Sequence, residues 1–339
     1  VKESTNWNGK RIVISRTDSI GDVLLTLPVT AWLKKHFPDC HITFLCKNYT
    51  APIVRHYTAI DDVLILDELE KLSESQQIER IQNGKYDAVV HVFPRKELAK
   101  LFKKARVPVR IGTSHRLFHF LTCNVRPNFT RKGSPLHEAQ LNFELMRPFG
   151  LKEIPAFEDL HAYTTLFQVK ATELPAFLNI DPQNGFVILH PKSQGSAREW
   201  PMEKYIELAH RLAEHNYVVL FTGTEKEGAL FRSELPAHPR IIDTTGKLTI
   251  DQLILLISKS KALLACSTGP LHIAGFLGIR AVGLFAPKIP IHPGRWQALG
   301  EKSVALVNDP ACPRCMKGES CNCIADISVD RVFQNLLNV

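Results

Sequence analysis

No stretch of the 339 residues approaches the ~18 consecutive apolar side chains that a membrane span requires. The opening segment, VKESTNWNGKRIVIS, also lacks the apolar core of a signal peptide. Together these absences predict a cytoplasmic location. The sequence holds no G-x-x-x-x-G-K-[ST], which excludes a P-loop, and no G-x-G-x-x-G, which excludes the ordinary dinucleotide fingerprint. Nor is there an Asp-x-Asp pair, a common means of fixing a divalent ion on a diphosphate. If the chain handles a diphosphate, helix N-termini and cations must balance its charge. What remains is 45% hydrophobic and 22% charged, the composition of a globular protein long enough for two cores.

Charge is plentiful but uneven. The formal net charge is +8, and between Arg95 and Lys132 eleven Lys/Arg stand against one acid, Glu97. Such a patch suits nucleic acid, anionic lipid or a phosphorylated substrate; a solvated face with no partner has the same composition.

Short apolar runs rich in Val, Ile and Leu recur at 11–15, 41–46, 61–66, 86–93 and 109–114, and again at 186–191, 217–223, 240–246, 262–267 and 281–287. Helical stretches separate them, at 20–36, 50–57, 73–83 and 95–105, then 203–215, 225–235, 249–260 and 269–278, with a last one from 328. Near-continuous apolar strands alternating with helices predict parallel sheets covered on both faces. Prolines at 148, 155, 175 and 182 mark a change of texture between the halves. The expected architecture is α/β: a Rossmann-like domain over 1–160, a linker over 161–184, a second over 185–325, and a terminal helix over 326–339 returning to the first domain.

Several stretches carry chemistry. In ACSTGPLHIAGFLG (265–278) a strand ends at Cys266, and Ser267, Thr268 and Gly269 open a helix with Pro270 in its first turn. Free amides, two hydroxyls and a glycine make an anion cradle, with His272 one turn in; the same residues would also cap a helix well. HPKSQGSAREWP (190–201) offers Lys192, Ser193 and Arg198 in a loop before a helix, suited to a diphosphate or simply exposed. FTGTEKE (221–227) places Gly223 and Thr224 at a strand end, where Glu225 or Glu227 is a ribose acceptor or a helix-start charge. Gly246 and Lys247 add to the same rim. Finally, SRTDSIGDVLLTLPV (15–29) sets Asp18 and Asp22 around Gly21 where a first strand becomes a first helix. Asp18 or Ser19 is the expected cap, and Asp22 is either a helix-stabilising charge or a general base. Pro28 should kink the helix and free the Leu24 carbonyl.

ISRTDSIGDVLLTLPVTAWLKKHFPDCHITFLC resembles the N-terminal signature of the heptosyltransferase family, glycosyltransferase family 9, and STGPLHIAGFLGIRAVGLFAP resembles its C-terminal signature. The resemblance covers nearly the whole chain. It implies a GT-B fold, two Rossmann-like domains with parallel sheets facing a central cleft, and inverting transfer of heptose from ADP-heptose to a lipopolysaccharide core. It implies Asp22 as base and Arg198 on the donor phosphates, with Thr268, Gly269 and His272 in the diphosphate turn. The donor is then expected at Lys192, Ser193, Arg198, Gly223, Thr224, Glu225, Gly246, Lys247, Ser267, Thr268, Gly269 and His272, and the acceptor at Asp18, Ser19, Gly21 and Arg116. Lipopolysaccharide heptosyltransferases typically carry Asp where this chain has Ser267. One base and a cationic leaving-group site suffice for an inverting transferase, so no catalytic cofactor or metal is expected. A glycosidase would need two facing carboxylates.

The expected partners are a nucleotide-sugar donor and an anionic lipid-linked acceptor, with peripheral membrane contact and no nucleic acid. HRLFHFLTCNVRP (115–127) combines Arg116 and Arg126 with Leu117, Phe118, Phe120 and Leu121, a pattern open between membrane contact, acceptor contact and core packing. Alternatives are a GT-B transferase with another nucleotide sugar, a GT-B-like epimerase, and a nucleic-acid-binding protein suggested by charge alone. Four of the eight cysteines, Cys312, Cys315, Cys321 and Cys323, form C-x2-C-x5-C-x-C, which fits a structural zinc knuckle or a set of free thiols.

Overall fold

The computed structural model describes residues 6–178 and 185–337. The chain divides into two compact units between Gln168 and Val169. In the first, β1 (Arg11–Ser15), β2 (His41–Cys46), β3 (Asp62–Ile65), β4 (Ala88–His91) and β5 (Val109–Ile111) form one sheet in the order β3-β2-β1-β4-β5. Every pairing is parallel. The apolar runs become strands because helices cover both faces: Val13, Leu45 and Val89 pack against Leu98, Leu101 and Phe102 of the helix Lys96–Lys104.

The second unit repeats the plan with one more strand. β6 (Phe186–His190), β7 (Val218–Phe221), β8 (Ile241–Asp243), β9 (Ala262–Cys266), β10 (Arg280–Leu284) and β11 (Ser303–Leu306) lie in the order β11-β10-β9-β6-β7-β8, again all parallel. In both sheets the order reverses at one point, between β1 and β4 and between β6 and β9. Doubly wound sheets bind ligands outside the carboxyl ends of the strands at such a point.

Two helices differ from expectation. The predicted helix 20–36 is two helices, Ile20–Leu24 and Leu27–His36, because Pro28 has no N–H to continue the first and instead starts the second. The predicted helix 225–235 stops at Gly228 and resumes as a 3-10 turn at Arg232–Glu234. Part of the predicted linker belongs to the first unit: Gln168 N donates to His56 O and Thr58 N to Leu166 O. The linker's residues 179–184 lie outside the described residues, as do the last two of the terminal helix. The helix Val329–Leu337 buries Val329, Val332, Phe333 and Leu336 in the core of the second unit. Among the described residues no helix is long and apolar enough to cross a membrane.

Candidate active site

In the first unit, β1 ends in Ser15 and the chain turns through Arg16 to Ser19 into the five-residue helix that carries Asp22 in its first turn. Asp18 and Asp22 are brought together by a residue the motif reading passed over, Arg16. Its Nε donates to Asp18 Oδ1 at 2.7 Å, and its guanidinium also pairs with Asp22. A third N–H reaches Glu138 Oε1 at 3.2 Å. Glu138 itself is 1% exposed and also pairs with Arg131. Two guanidinium groups therefore face three carboxylates in one partly buried network. Burial alone would lower the Arg16 pKa, but Asp22, Asp18 and Glu138 together outweigh it and hold it above the ordinary value. Burial also pushes the Asp18 carboxyl up to about 6, with Arg16 opposing and Asp22 adding to the rise.

Ser19 occupies the N-cap position but makes no side-chain cap; its hydroxyl donates to Asp22 instead. Gly21 is buried in the same helix. Asn142 holds the break between the two helices: its Nδ2 donates to Leu25 O at 2.9 Å and to Thr26 Oγ1 at 3.2 Å. The carbonyl left for Asn142 is thus that of Leu25, one residue on from the expected Leu24. His91, at the end of the neighbouring strand β4, is driven by burial to a pKa of about 3, so it stays neutral. Arg116 is exposed at the start of the helix Leu117–Thr122 and takes no part in this network. Core packing does not account for three of that helix's apolar residues. Leu117, Phe120 and Leu121 are 89%, 56% and 75% exposed. Arg126 lies over the Phe120 ring, and Lys103 Nζ caps Leu121 O at 2.7 Å.

In the second unit, the expected donor residues gather on the carboxyl edge of the sheet, with one exception. After β6, Glu199 Oε2 accepts from Lys192 Nζ at 3.0 Å, and Oε1 accepts from Ser193 N at 2.8 Å and Ser193 Oγ at 3.0 Å. Glu199 was not foreseen; its only sequence signal is its place beside Trp200-Pro201. After β9, Thr268 is the N-cap of the helix Gly269–Phe276, yet its Oγ1 donates back to Cys266 O at 3.3 Å and makes no cap bond. The helix start is therefore uncapped by side chains, and its first amides keep the capacity to meet an anion. Ser267 precedes it, and His272 is buried one turn in.

On the β7–β8 side, Thr224 and Glu227 form a complete capping box, the helix-start role for Glu227. Glu225 is held by both terminal nitrogens of Arg232 at 2.8 Å, and that hydrogen-bonded pair lowers its pKa. Gly223 O accepts from Gly246 N at 2.9 Å. Gly246 has φ +74°, and a Cβ there would lie 2.4 Å from Glu225 Oε2. Lys247 Nζ donates to Asp243 O at 2.8 Å.

The exception is Arg198. It does not join Lys192. Its Nη1 donates to Cys321 Sγ at 2.8 Å and lies 3.4 Å from Cys315 Sγ, and Nη2 donates to Glu319 O at 2.7 Å. The four clustered cysteines are free thiols whose sulfurs all lie within 4.8 Å of one another. A tetrahedral ion with sulfur ligands at about 2.3 Å spaces them by about 3.8 Å, so the cluster is of metal-binding size.

The family described as "Glycosyltransferase family 9 (heptosyltransferase)" matches residues 76–324. Lipopolysaccharide heptosyltransferase 3 of Escherichia coli is 25% identical over 282 residues, 78% of this chain and 80% of that protein. Among solved structures, the glycosyl transferase family 9 protein of Veillonella parvula superposes with a TM-score of 0.77 at 19% identity, over 99% of each chain. The E. coli ADP-heptose lps heptosyltransferase II superposes with a TM-score of 0.73 at 18% identity, over 97% of this chain and 98% of that one. The pair of doubly wound parallel sheets is the GT-B arrangement of those enzymes. With the family matched over most of its length and the fold matched over nearly all of it, this chain belongs to glycosyltransferase family 9, the heptosyltransferases.

Proposed function

We propose that the chain is an inverting, metal-independent transferase that moves heptose from ADP-heptose to a lipopolysaccharide core or a related lipid-linked glycan. The observation that carries this reading is positional. The stretch with Asp22 stands at the switch point of the first sheet, and the stretches with Lys192 and with Thr268-Gly269 stand at the switch point of the second. Asp22 Oδ takes the proton of the acceptor hydroxyl as that oxygen bonds to the anomeric carbon, and the bond from that carbon to the diphosphate breaks. Arg16 and Ser19 aim the carboxylate, and Asp18 with Gly21 lines the acceptor side. The departing diphosphate leaves as an anion, stabilised by the uncapped amides at Gly269 and by Lys192, Ser193 and Lys247. No second acid is needed.

Two further parts belong to this reading. The four cysteines hold a structural ion, with zinc the best fit to four thiolates, that takes no part in the transfer step itself. The basic stretch around Arg116 meets an anionic, lipid-linked acceptor, with the protein in the cytoplasm and peripheral to the inner membrane. Leu117 and Leu121 exposed beside Arg116, Arg126 and Lys103 support that placement.

The test is Asp22→Asn. Thermal shifts with ADP, GDP and UDP identify the nucleotide, and the variant should keep that shift while transfer falls by at least about 10³-fold. Near wild-type transfer by the variant, or no stabilisation by any of the three nucleotides, would overturn the proposal.

A further inference from the structure

Arg198 was expected on the donor phosphates, yet in the structure its guanidinium is committed to the thiol cluster. Cys312 is the N-cap of the helix Pro313–Met316 and Cys315 lies within it, and Gly318, at φ +79°, turns the chain back so that Cys321 and Cys323 close the set. Cys312, Cys315 and Cys323 are buried in the core of the second unit beside Ile324 and Ile327. Four thiolates around a divalent ion carry a net charge of −2. Such a centre is stabilised by N–H donors to sulfur and by a neighbouring cation, and Arg198 supplies both.

The residue after Arg198 is Glu199, which holds Lys192 and Ser193. The residues beyond it are tied to the same C-terminal segment: Trp200 Nε1 donates to Ile327 O and Lys204 Nζ to the same carbonyl, both at 3.0 Å. A continuous path of bonded groups thus runs from Cys321 through Arg198 and Glu199 to Lys192 and Ser193.

We propose that a divalent metal bound by Cys312, Cys315, Cys321 and Cys323 clamps the 192–199 loop through Arg198, so that the loop's order, and with it donor affinity, depends on metal loading. The dependence on donor rests on the function proposed above; the clamp itself does not. Arg198 is a positioning residue in this scheme. Zinc and ferrous iron share the tetrathiolate chemistry, and the two are separated by metal analysis and by loading with oxygen excluded.

The experiment uses the full chain, purified without a metal-affinity step, analysed for metal, stripped with a chelator and reloaded with zinc, ferrous iron or cobalt. One ion per chain is expected, with a thiolate-to-cobalt charge-transfer band. Hydrogen exchange across 192–200 should slow by about tenfold on loading. Arg198→Gln, which keeps all four cysteines, should still bind metal, about tenfold more weakly, but leave the loop exchanging as fast as in the stripped protein. Arg198→Lys should restore part of the protection. Failure to bind any of the three ions, or equal loop exchange in the loaded and stripped wild type, overturns the clamp. Metal-dependent loop exchange without ADP binding in either state upholds the clamp and overturns the donor assignment instead.

Discussion

Replacing Asp18 by Asn should stabilise the protein above about pH 6 and leave its stability unchanged below about pH 4. Asp18 lies next to Asp22 and against Arg16, and its side chain is only 21% exposed. Burial raises its carboxyl from 3.8 to about 6 despite Arg16. Below the unfolded value both states are protonated and the group contributes nothing. As pH rises through the window, the unfolded chain releases the proton while the native one keeps it, so stability falls with pH until the native carboxyl also ionises. The rise from 3.8 to about 6, at about 1.4 kcal/mol for each pH unit, sets a ceiling near 3 kcal/mol. Residual solvent access brings the expected gain for Asn to about 1–3 kcal/mol at pH 7.5. Urea unfolding of wild type and variant at both pH values measures the difference. An equal effect at the two pH values, or a loss at pH 7.5, would mean that the ion pair with Arg16 outweighs burial, and the reasoning would fail.

Two other substitutions probe separate claims. Gly246→Ala places a Cβ at 2.4 Å from Glu225 Oε2 and 3.0 Å from the Glu225 Cα, in a left-handed backbone. It should lower stability by about 1–3 kcal/mol in urea unfolding and weaken nucleotide binding, whereas a neutral outcome would show that the Glu225–Arg232 pair shifts freely. Leu117→Ser with Leu121→Ser should reduce co-sedimentation with anionic phospholipid vesicles by about tenfold or more, with unchanged thermal stability. Equal sedimentation of the double variant would remove the membrane role of that helix.

The strands were legible because each is a short apolar run covered on both faces. The strand β11 was not foreseen: it sits at the sheet edge, three of its four residues are half-buried, and Ser-Val-Ala-Leu carries little apolar signal. The candidate site was half legible. Acids and glycines at strand ends mark Asp22 and Thr268-Gly269 as candidates because ligand chemistry at helix starts uses few residue types. The groups that orient them left no local mark. Arg16 reads as an ordinary charge until Glu138 and Asn142, more than a hundred residues on, bury it. Arg198 sits in a loop whose basic residues suit phosphates, and only the return of Cys315 and Cys321 to that loop shows where its charge goes. The spacing of the four cysteines predicted their grouping, since C-x2-C lies on one helical turn.

The break after Leu24 has a consequence for engineering. A five-residue helix is far too short to persist on its own. The turn bearing Asp22 is therefore a cassette docked on its surroundings, held by Arg16 at its entry and by Asn142 at its exit. Grafting residues 16–26 into another scaffold would carry the proposed base but not its orientation. A working transplant must bring Glu138 and Asn142 as well.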